Sequence, residues 1–243
     1  MNSPRQIDER AIVTTEDAAS AGVHPTVEAA LSGLAMPLQS VIETQRVIRR
    51  LHPDPVDDAV LHRVLELATK APNGGNEQKA AFVVVKDASV RAELARLNRS
   101  GFPIMSLYYR RRLRTDAAWA RTWKAIEWQR DHFHEIPVVI VACWTGRIPP
   151  RPIMFNSAPY ASVYPAMQNL LLAARAVGLG AGFISLPLWR LGKLRRVLGL
   201  PRSVTPVGVI PLGWPRGKYG PNNRRPVGEV AHFDHWGNQP WRS

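Results

Sequence analysis

The sequence predicts an α+β fold in which a small mixed β-sheet is flanked by helices. Helix-period apolar patterns separate a few short runs rich in β-branched residues, and no segment of the chain repeats. The 243 residues suffice for one substantial core. With 45% hydrophobic and 21% charged residues, the composition is that of an ordinary globular protein.

The amino-terminal third begins with a weakly patterned segment. Residues 1–36 are small and polar, which predicts an N-terminal arm, flexible in part, ahead of one domain over 37–243. A helix is predicted over 37–50. The acidic stretch 54–58 begins a second, amphipathic helix, because acidic side chains favour the positive end of the helix dipole.

The remaining elements alternate along the chain. Strands are predicted at 81–86, 136–144, 181–185 and 204–212. Helices are predicted from Ser89, as the cap, to Leu97, and over 116–132, 160–177 and 191–198. Residues 101–135, rich in Tyr, Trp and Arg, form a lid or insert whose helix either packs at an interface or contacts substrate.

Several classes of protein are disfavoured. No run of 18 apolar residues occurs, so no membrane-spanning helix is expected. The first 40 residues lack a basic start followed by an apolar core, unlike a secretory signal. The single cysteine, Cys143, excludes an internal disulfide and a cysteine zinc site, and its apolar run predicts a buried, inert thiol. A reducing cytoplasm fits this composition.

The charge is strongly positive, with 32 Lys and Arg against 19 Asp and Glu, a net +13. Such a field favours anionic partners, namely nucleic acid, an acidic membrane or a phosphorylated small molecule. Arginine richness also follows from genomic base composition. The basic stretch Arg110–Arg114, with its aromatic neighbours, leaves a nucleic-acid-binding protein as an alternative, although no recognised module for that role is present.

A turn at 72–78 separates a helical pattern from a strand pattern. Its residues Asn76 and Gln78 lie two apart, so in an extended segment their amides point the same way. Each amide offers donors and an acceptor, as needed to read the edge of a heteroaromatic ring. The alternative is plain turn chemistry, for which Asn-Gly-Gly is typical.

Two arginine sites accompany this turn. Arg46 and Arg49 are three residues apart and share a face if helical, and Arg224-Arg225-Pro226 closes a loop rich in donors. Guanidinium groups bind phosphate with paired hydrogen bonds, although each pair alone is also compatible with a solvated face. Together with the turn, they indicate a nucleotide-like cofactor. His132 and His134 lack a third ligand, so no metal site is expected.

Five motifs in one order resemble the FMN-dependent nitroreductase family over about residues 38–235. They are Thr44-Gln-Arg46-Val-Ile-Arg49-Arg-Leu51, Ala71-Pro-Asn-Gly-Gly-Asn76-Glu-Gln78, Gln168 through Gly178-Leu-Gly180, Ile210-Pro-Leu-Gly213-Trp-Pro215, and Arg224-Arg225-Pro226. The resemblance implies an interlocked homodimer with FMN at the subunit interface. Two departures from the family pattern are Val47, where a small hydroxyl residue is common, and Lys79-Ala80 in place of Pro-Trp.

The resemblance also implies cofactor-binding positions. Those for the phosphate are Arg46, Arg49, Gly213 and Arg224 or Arg225. Those along the ring and ribityl chain are Pro72, Asn73, Gly74, Asn76 and Gln78. Ser185 and Leu186 match the backbone that faces the flavin N5 and O4 edge.

The activity implied is ping-pong hydride transfer from NADH or NADPH, through FMN, to a small electron-poor acceptor such as a nitroaromatic or quinone. The cofactor carries this chemistry, so no catalytic acid or nucleophile is expected in the chain. Other roles for a protein of this fold remain open: dehalogenation, flavin fragmentation or storage, and deazaflavin-linked reduction.

Overall fold

The computed structural model describes residues 24–148 and 153–242, which form an α+β structure, as predicted. The strands are β1 Ala80–Val85, β2 Val138–Trp144, β3 Gly180–Ala181 and β4 Thr205–Gly213. The α-helices are α1 Val27–Ser32, α2 Leu38–Thr44, α3 Asp58–Ala68, α4 Ala88–Thr115, α5 Ala117–Asp131, α6 Ile153–Ala176 and α7 Leu191–Val197. Within the described ranges, no helix is both long and apolar enough to cross a membrane.

The strands form one sheet in the order β1-β2-β4-β3. Every pairing in the described sheet is antiparallel, so the prediction of a mixed sheet is wrong. The connections explain this arrangement. Helices α4 and α5 join β1 to β2 and bring the chain back to the end of the sheet at which β1 finishes, so β2 runs antiparallel to β1. Helix α6 joins β2 to β3, but these two strands are not neighbours in the sheet.

Both faces of the sheet are covered, because alternate residues of a strand point to opposite sides. Val138, Ile140 and Ala142 of β2 pack in a cluster with α3 and α6. The alternate residues of β2, namely Val139, Val141 and Cys143, pack in a second cluster with α4 and α7. Cys143 is fully buried, which confirms the prediction of a buried thiol.

Helices α2, α4 and α6 differ from the predictions at their boundaries. Helix α2 ends at Thr44 instead of continuing to residue 50. The cap of α4 is Asp87, whose carboxylate accepts from the Val90 amide, and this helix continues past Leu97 and through Pro103. Helix α6 starts before Tyr160, so its first residues, up to Pro159, lie in a segment predicted as a loop, and it also contains Pro165. Burial of its apolar face outweighs the local cost of proline.

The predicted arm is described only in its second part, since residues 1–23 lie outside the described residues. Residues 27–35 are helical, with Thr26 capping α1. Ala30 is 1% exposed and belongs to the core cluster. Gly33 contacts the end of α6 so closely that a Cβ there would lie 2.2 Å from the Ala176 carbonyl oxygen. This part of the arm is therefore packed on the domain.

Candidate functional site

The segment after α2 carries the first two predicted phosphate-binding arginines and lies along β3. The Ile48 amide donates a hydrogen bond of 3.0 Å to the Ala181 carbonyl. Because this segment is extended and not helical, Arg46 and Arg49 do not share a helix face, contrary to prediction. Arg46 is exposed and Arg49 is half-buried.

The loop after β4 is fixed to the same segment. The His52 amide donates to the Trp214 carbonyl at 2.8 Å, and the Arg216 amide donates to the Arg50 carbonyl at 2.9 Å. Further along this loop, a Cβ on Gly220 would lie 3.6 Å from the Arg46 guanidinium. The first arginine segment and the loop with the second arginine pair are therefore neighbours, although they are far apart in sequence.

The arginines of this region have unused hydrogen-bonding capacity. The Nε of Arg49 is buried without a hydrogen-bond partner, and burial lowers the pKa of this guanidinium. Among the described residues, no carboxylate forms an ion pair with Arg46, Arg49, Arg224 or Arg225. A buried donor without an acceptor is costly, and a phosphate supplies the anionic oxygens that such a group requires. These residues therefore fit the phosphate end of FMN.

Gly213 lies at the end of β4, opposite Gly180 of β3. It is buried, and a Cβ there would lie 2.8 Å from Cγ of Pro137. The absence of a side chain thus allows close packing at the edge of the arginine region. Arg224 and Arg225 are both exposed, and the Arg224 guanidinium donates to the Asn223 carbonyl at 3.0 Å.

Ser185 and Leu186 follow β3, which is shorter than predicted. Only an isolated bridge between Ile184 and Val209 continues the pairing. Ser185 is exposed, and its carbonyl accepts from the Leu188 amide at 2.9 Å. Leu186 is half-buried against α4, where a Cβ on Gly101 would lie 2.7 Å from its Cδ1.

The turn at 72–78 is not extended, so the expected alignment of two amides along one face does not occur. A short 3₁₀ turn covers Gly74–Asn76, and the backbone φ is +53° at Asn76 and +50° at Gln78. The side chain of Asn73 accepts from the Gln78 amide at 2.9 Å. The side chains of Asn76 and Gln78 are exposed, as is Pro72. Non-glycine residues held at positive φ mark a site where backbone strain is retained.

Helix α6 separates this turn from the arginines. The Ser162 hydroxyl of α6 accepts from the Gly74 amide at 3.2 Å. Thirteen residues later, Arg175 donates to Thr44 at the start of the arginine segment, at 2.9 Å. At about 1.5 Å per helical residue, the two contacts are about 20 Å apart along the helix. The chain therefore presents the turn near the middle of α6 and the arginines at its carboxyl end.

Sequence reasoning missed the residues that support these elements. Ser162 is 2% exposed, and its side chain is anchored by donating to the Ala158 carbonyl at 2.8 Å. Arg175 and Tyr219 contact each other, with the guanidinium carbon 4.0 Å from the ring centre. Nothing in the local sequence indicates these contacts, because each joins segments that only the fold brings together.

The insert over 101–135 forms a hairpin from the second half of α4 and α5. Its aromatic residues largely pack on one another, with ring centres 5.0 Å apart for Phe102 and Trp123 and 4.9 Å apart for Tyr109 and Trp119. Tyr108, on the outer face, is 79% exposed. The insert thus contains both a packed aromatic face and an exposed surface.

The other features noted in the sequence have ordinary packing roles. His132 stacks on Trp128 with ring centres 4.1 Å apart, and His134 is exposed. In the described part of the chain, no group of three potential ligands among His, Cys, Asp and Glu could hold a metal ion. Lys79 forms an ion pair of 2.8 Å with Glu77.

Comparisons with known proteins agree with this fold. The chain is similar to an NADH dehydrogenase of Thermus thermophilus, with 25% identity covering 77% of this chain and 91% of the relative. It is 28% identical to a 5,6-dimethylbenzimidazole synthase of Rhodospirillum rubrum, over 74% of this chain and 82% of that one. An NADPH:FMN oxidoreductase from Vibrio harveyi has a similar fold, with a TM-score of 0.63 and 18% identity over 83% of this chain and 78% of that one.

The resemblance first noted in five short motifs extends through most of the domain. The model of the nitroreductase family matches residues 42–214, from the end of α2 to the residue that follows β4. This match covers the arginine segment, the turn, α6 and the whole sheet. The chain belongs to the nitroreductase family.

Proposed function

We propose that this protein is an FMN-dependent oxidoreductase that transfers a hydride from NADH or NADPH to a small electron-poor acceptor such as a nitroaromatic or quinone. The observation that carries the proposal is the Arg49 Nε, which is buried without a hydrogen-bond partner. In the same region, none of the four predicted phosphate-binding arginines forms an ion pair with a carboxylate of the described residues. The names of the relatives, an NADH dehydrogenase and an NADPH:FMN oxidoreductase, support the same cofactors.

In this proposal, different residues bind different parts of FMN. Arg46, Arg49 and one of Arg224 and Arg225 bind the phosphate, and their charges neutralise it. The backbone at Ser185 and Leu186 faces the reactive edge of the ring, where N–H donors stabilise negative charge. When bound, FMN supplies the hydride chemistry through its N5 atom, and the protein orients it and limits the access of water.

The site is shared between two protomers in this proposal, in agreement with an interlocked homodimer. The turn with Asn76 and Gln78 lies about 20 Å along α6 from the contact that Arg175 makes with the arginine segment. Exposed apolar side chains on α2 and α6 support an interface, since Leu38 is 68% and Tyr164 46% exposed. The turn of one protomer then reads the ring bound to the arginines of its partner.

An absorption spectrum of the purified protein tests the proposal. We expect the bands of bound flavin, bleached by NADH or NADPH in the absence of air and restored by a nitroaromatic or quinone. A colourless protein that does not take up added FMN would contradict the proposal. Bound flavin that neither pyridine nucleotide reduces would contradict the proposed hydride donor while leaving the cofactor in place.

A further inference from the structure

One side chain connects the two arginine regions. Arg175 lies in the last turn of α6 and is half-buried. Its Nε donates a hydrogen bond of 2.9 Å to the Thr44 hydroxyl, two residues before Arg46. Its guanidinium plane also lies over the ring of Tyr219, with 4.0 Å from the guanidinium carbon to the ring centre. Arg175 thus contacts both segments that carry predicted phosphate-binding arginines.

The Tyr219 side of this connection is held firmly. The Tyr219 hydroxyl donates to the Leu179 carbonyl just after α6, and burial raises the pKa of this phenol. The ring therefore stays neutral and fixed beside Arg175. The next residue along the chain is Gly220, where a Cβ would lie 3.6 Å from the Arg46 guanidinium.

A second link joins the same two segments. The Asn222 amide donates to the Glu43 carbonyl at 2.7 Å, and its side-chain nitrogen donates to the Ile42 carbonyl at 2.9 Å. These bonds occupy carbonyls at the end of α2 that have no partner within that helix. Asn222 holds the loop from the α2 side, and Arg175 holds it from the α6 side.

We propose that Arg175 is a positioning residue that fixes the Arg46–Arg49 segment and the Arg224–Arg225 loop at the separation a phosphate group requires. This inference rests on the proposed function, because it assigns the phosphate end of FMN to these arginines. Arg175 acts through Thr44 and Tyr219, and both its Nε and one face of its guanidinium are already committed to them.

The planar shape of the side chain matters as well as its charge. A guanidinium can stack on a ring while it donates in its own plane, whereas the ammonium of lysine is a point charge on a flexible stem. We therefore expect Arg175→Lys to behave like Arg175→Ala. A mere contribution of positive charge to the region would instead be preserved by lysine.

The test compares the binding of FMN with that of riboflavin, which lacks the phosphate, to the apoprotein. We expect Arg175→Ala and Arg175→Lys to weaken FMN binding by about tenfold to a hundredfold, in line with the loss of one or two charge-assisted hydrogen bonds. Riboflavin affinity stays within about twofold, because the ring contacts do not change. Thr44→Val removes the hydroxyl that accepts from Arg175 and donates to the Ser40 carbonyl, and it has the same selectivity with a smaller loss.

Controls separate positioning from simple loss of structure. Arg202→Ala, at an exposed arginine before β4, leaves both affinities unchanged. In the Arg46→Ala background, Arg175→Ala costs much less than in the wild type, because both changes act on the same phosphate contacts. Thermal unfolding of each apoprotein verifies that the variants fold.

Several outcomes would overturn the inference. Equal weakening of FMN and riboflavin binding would assign a general structural role to Arg175, and wild-type affinity in Arg175→Lys would assign a charge effect. If the wild type prefers FMN to riboflavin but Arg175→Ala has unchanged FMN affinity, the positioning role of Arg175 is overturned and the proposed function stands. A wild-type protein that binds neither flavin would overturn the proposed function and the inference with it.

Discussion

Val47 packs directly on Gly182, and a Cβ added to that glycine would lie 2.6 Å from Cγ1 of Val47. Gly180, two residues earlier, is equally close to the same segment, because its Cβ would lie 2.7 Å from Leu51. The segment that carries Arg46 and Arg49 therefore packs on the backbone of Gly180 and Gly182, where no side chain intervenes. Val47, which departs from the family pattern, serves here as a packing residue.

This packing predicts that Gly182→Ala displaces the arginine segment. We expect a loss of about 1–2 kcal/mol in the free energy of unfolding, typical of an overpacked contact, together with weaker FMN retention. Gly192→Ala is the matched control, because nothing lies within 4 Å of a Cβ at that helical position. Urea unfolding and flavin content are measured for both. Equal behaviour of the two variants would contradict the prediction.

Replacing Arg49 should separate stability from cofactor binding. Its Nε is buried without a partner, so we expect Arg49→Met to raise the free energy of unfolding of the apoprotein by about 1 kcal/mol. FMN binding should weaken by about tenfold or more, because the proposed contact with the phosphate is lost. Arg202→Met, at an exposed position, should change neither quantity. Tighter FMN binding by Arg49→Met would contradict this role.

The strained turn offers another comparison within the chain. Gln78 has a φ of +50° and Asp234, in the C-terminal tail, a φ of +58°. Glycine adopts this region without strain, so Gln78→Gly and Asp234→Gly should each change apoprotein stability by no more than about 0.5 kcal/mol. Only Gln78→Gly should weaken FMN binding, since it alone removes a predicted flavin contact. Identical flavin affinities in the two variants would argue against ring recognition by Gln78.

Cys143 should be unreactive in the folded protein. Burial raises the pKa of its thiol to about 11, so at pH 8 the thiolate fraction is roughly one in a thousand, and the sulfur is inaccessible. We expect labelling by a disulfide reagent such as DTNB only at the rate of unfolding, and prompt release of one equivalent in guanidinium chloride. Rapid labelling of the native protein would show that β2 opens locally.

An acid-sensitive contact holds the start of the described chain. His24 lies 2.9 Å from the Asp54 carboxylate, and its ring stacks on Trp214 with centres 5.1 Å apart. The close contact with His24 Nε2 lowers the pKa of the Asp54 carboxyl. The Asp54 carboxylate therefore binds a proton less readily in the folded state than in the unfolded state. Its contribution to the free energy of unfolding is present above the unfolded pKa of about 3.9 and is lost as the pH falls through the lower folded-state pKa.

The matching variant is Asp54→Asn. Its deficit in the free energy of unfolding should stay below about 1 kcal/mol, because the carboxylate is partly exposed. We expect this deficit at pH 5 and its progressive loss as the pH falls from about 3.9 through the lowered folded-state pKa, in urea unfolding curves of the variant and the wild type. A deficit that does not change with pH would assign the effect to packing.

The sequence is most informative where burial follows a local pattern. The core of β2 and the start of α3 were both predictable, because an apolar run and acidic capping residues act on their own neighbours. The end of α2 was not, since the extended backbone at Ile48 follows from a hydrogen bond to Ala181, which is distant in sequence. The start of α6 was missed for the same reason, because tertiary burial outweighs the local propensity of Pro159 to end a helix.

The candidate site shows the same division. Arginine and amide residues could be selected from the sequence, because their chemistry suits a phosphorylated heteroaromatic cofactor. Their arrangement could not be predicted, since the turn at Gly74 is held by Ser162 and the arginine segment by Arg175. Neither supporting residue has a local signature. The positive φ angles at Asn76 and Gln78 could not be predicted from the sequence either, because both residue types are also compatible with an extended backbone.

The pairing of the arginine segment also has a kinetic consequence. Ile48 bonds to Ala181, Leu51 bridges to Pro215, and Glu43 accepts from Asn222, so each of these contacts comes from residues 181–222. Contacts so distant in sequence form late, because closing a long loop costs entropy before any contact repays it. During synthesis, the proposed phosphate-binding region therefore cannot assemble until residue 222 has left the ribosome, and FMN binding there must follow.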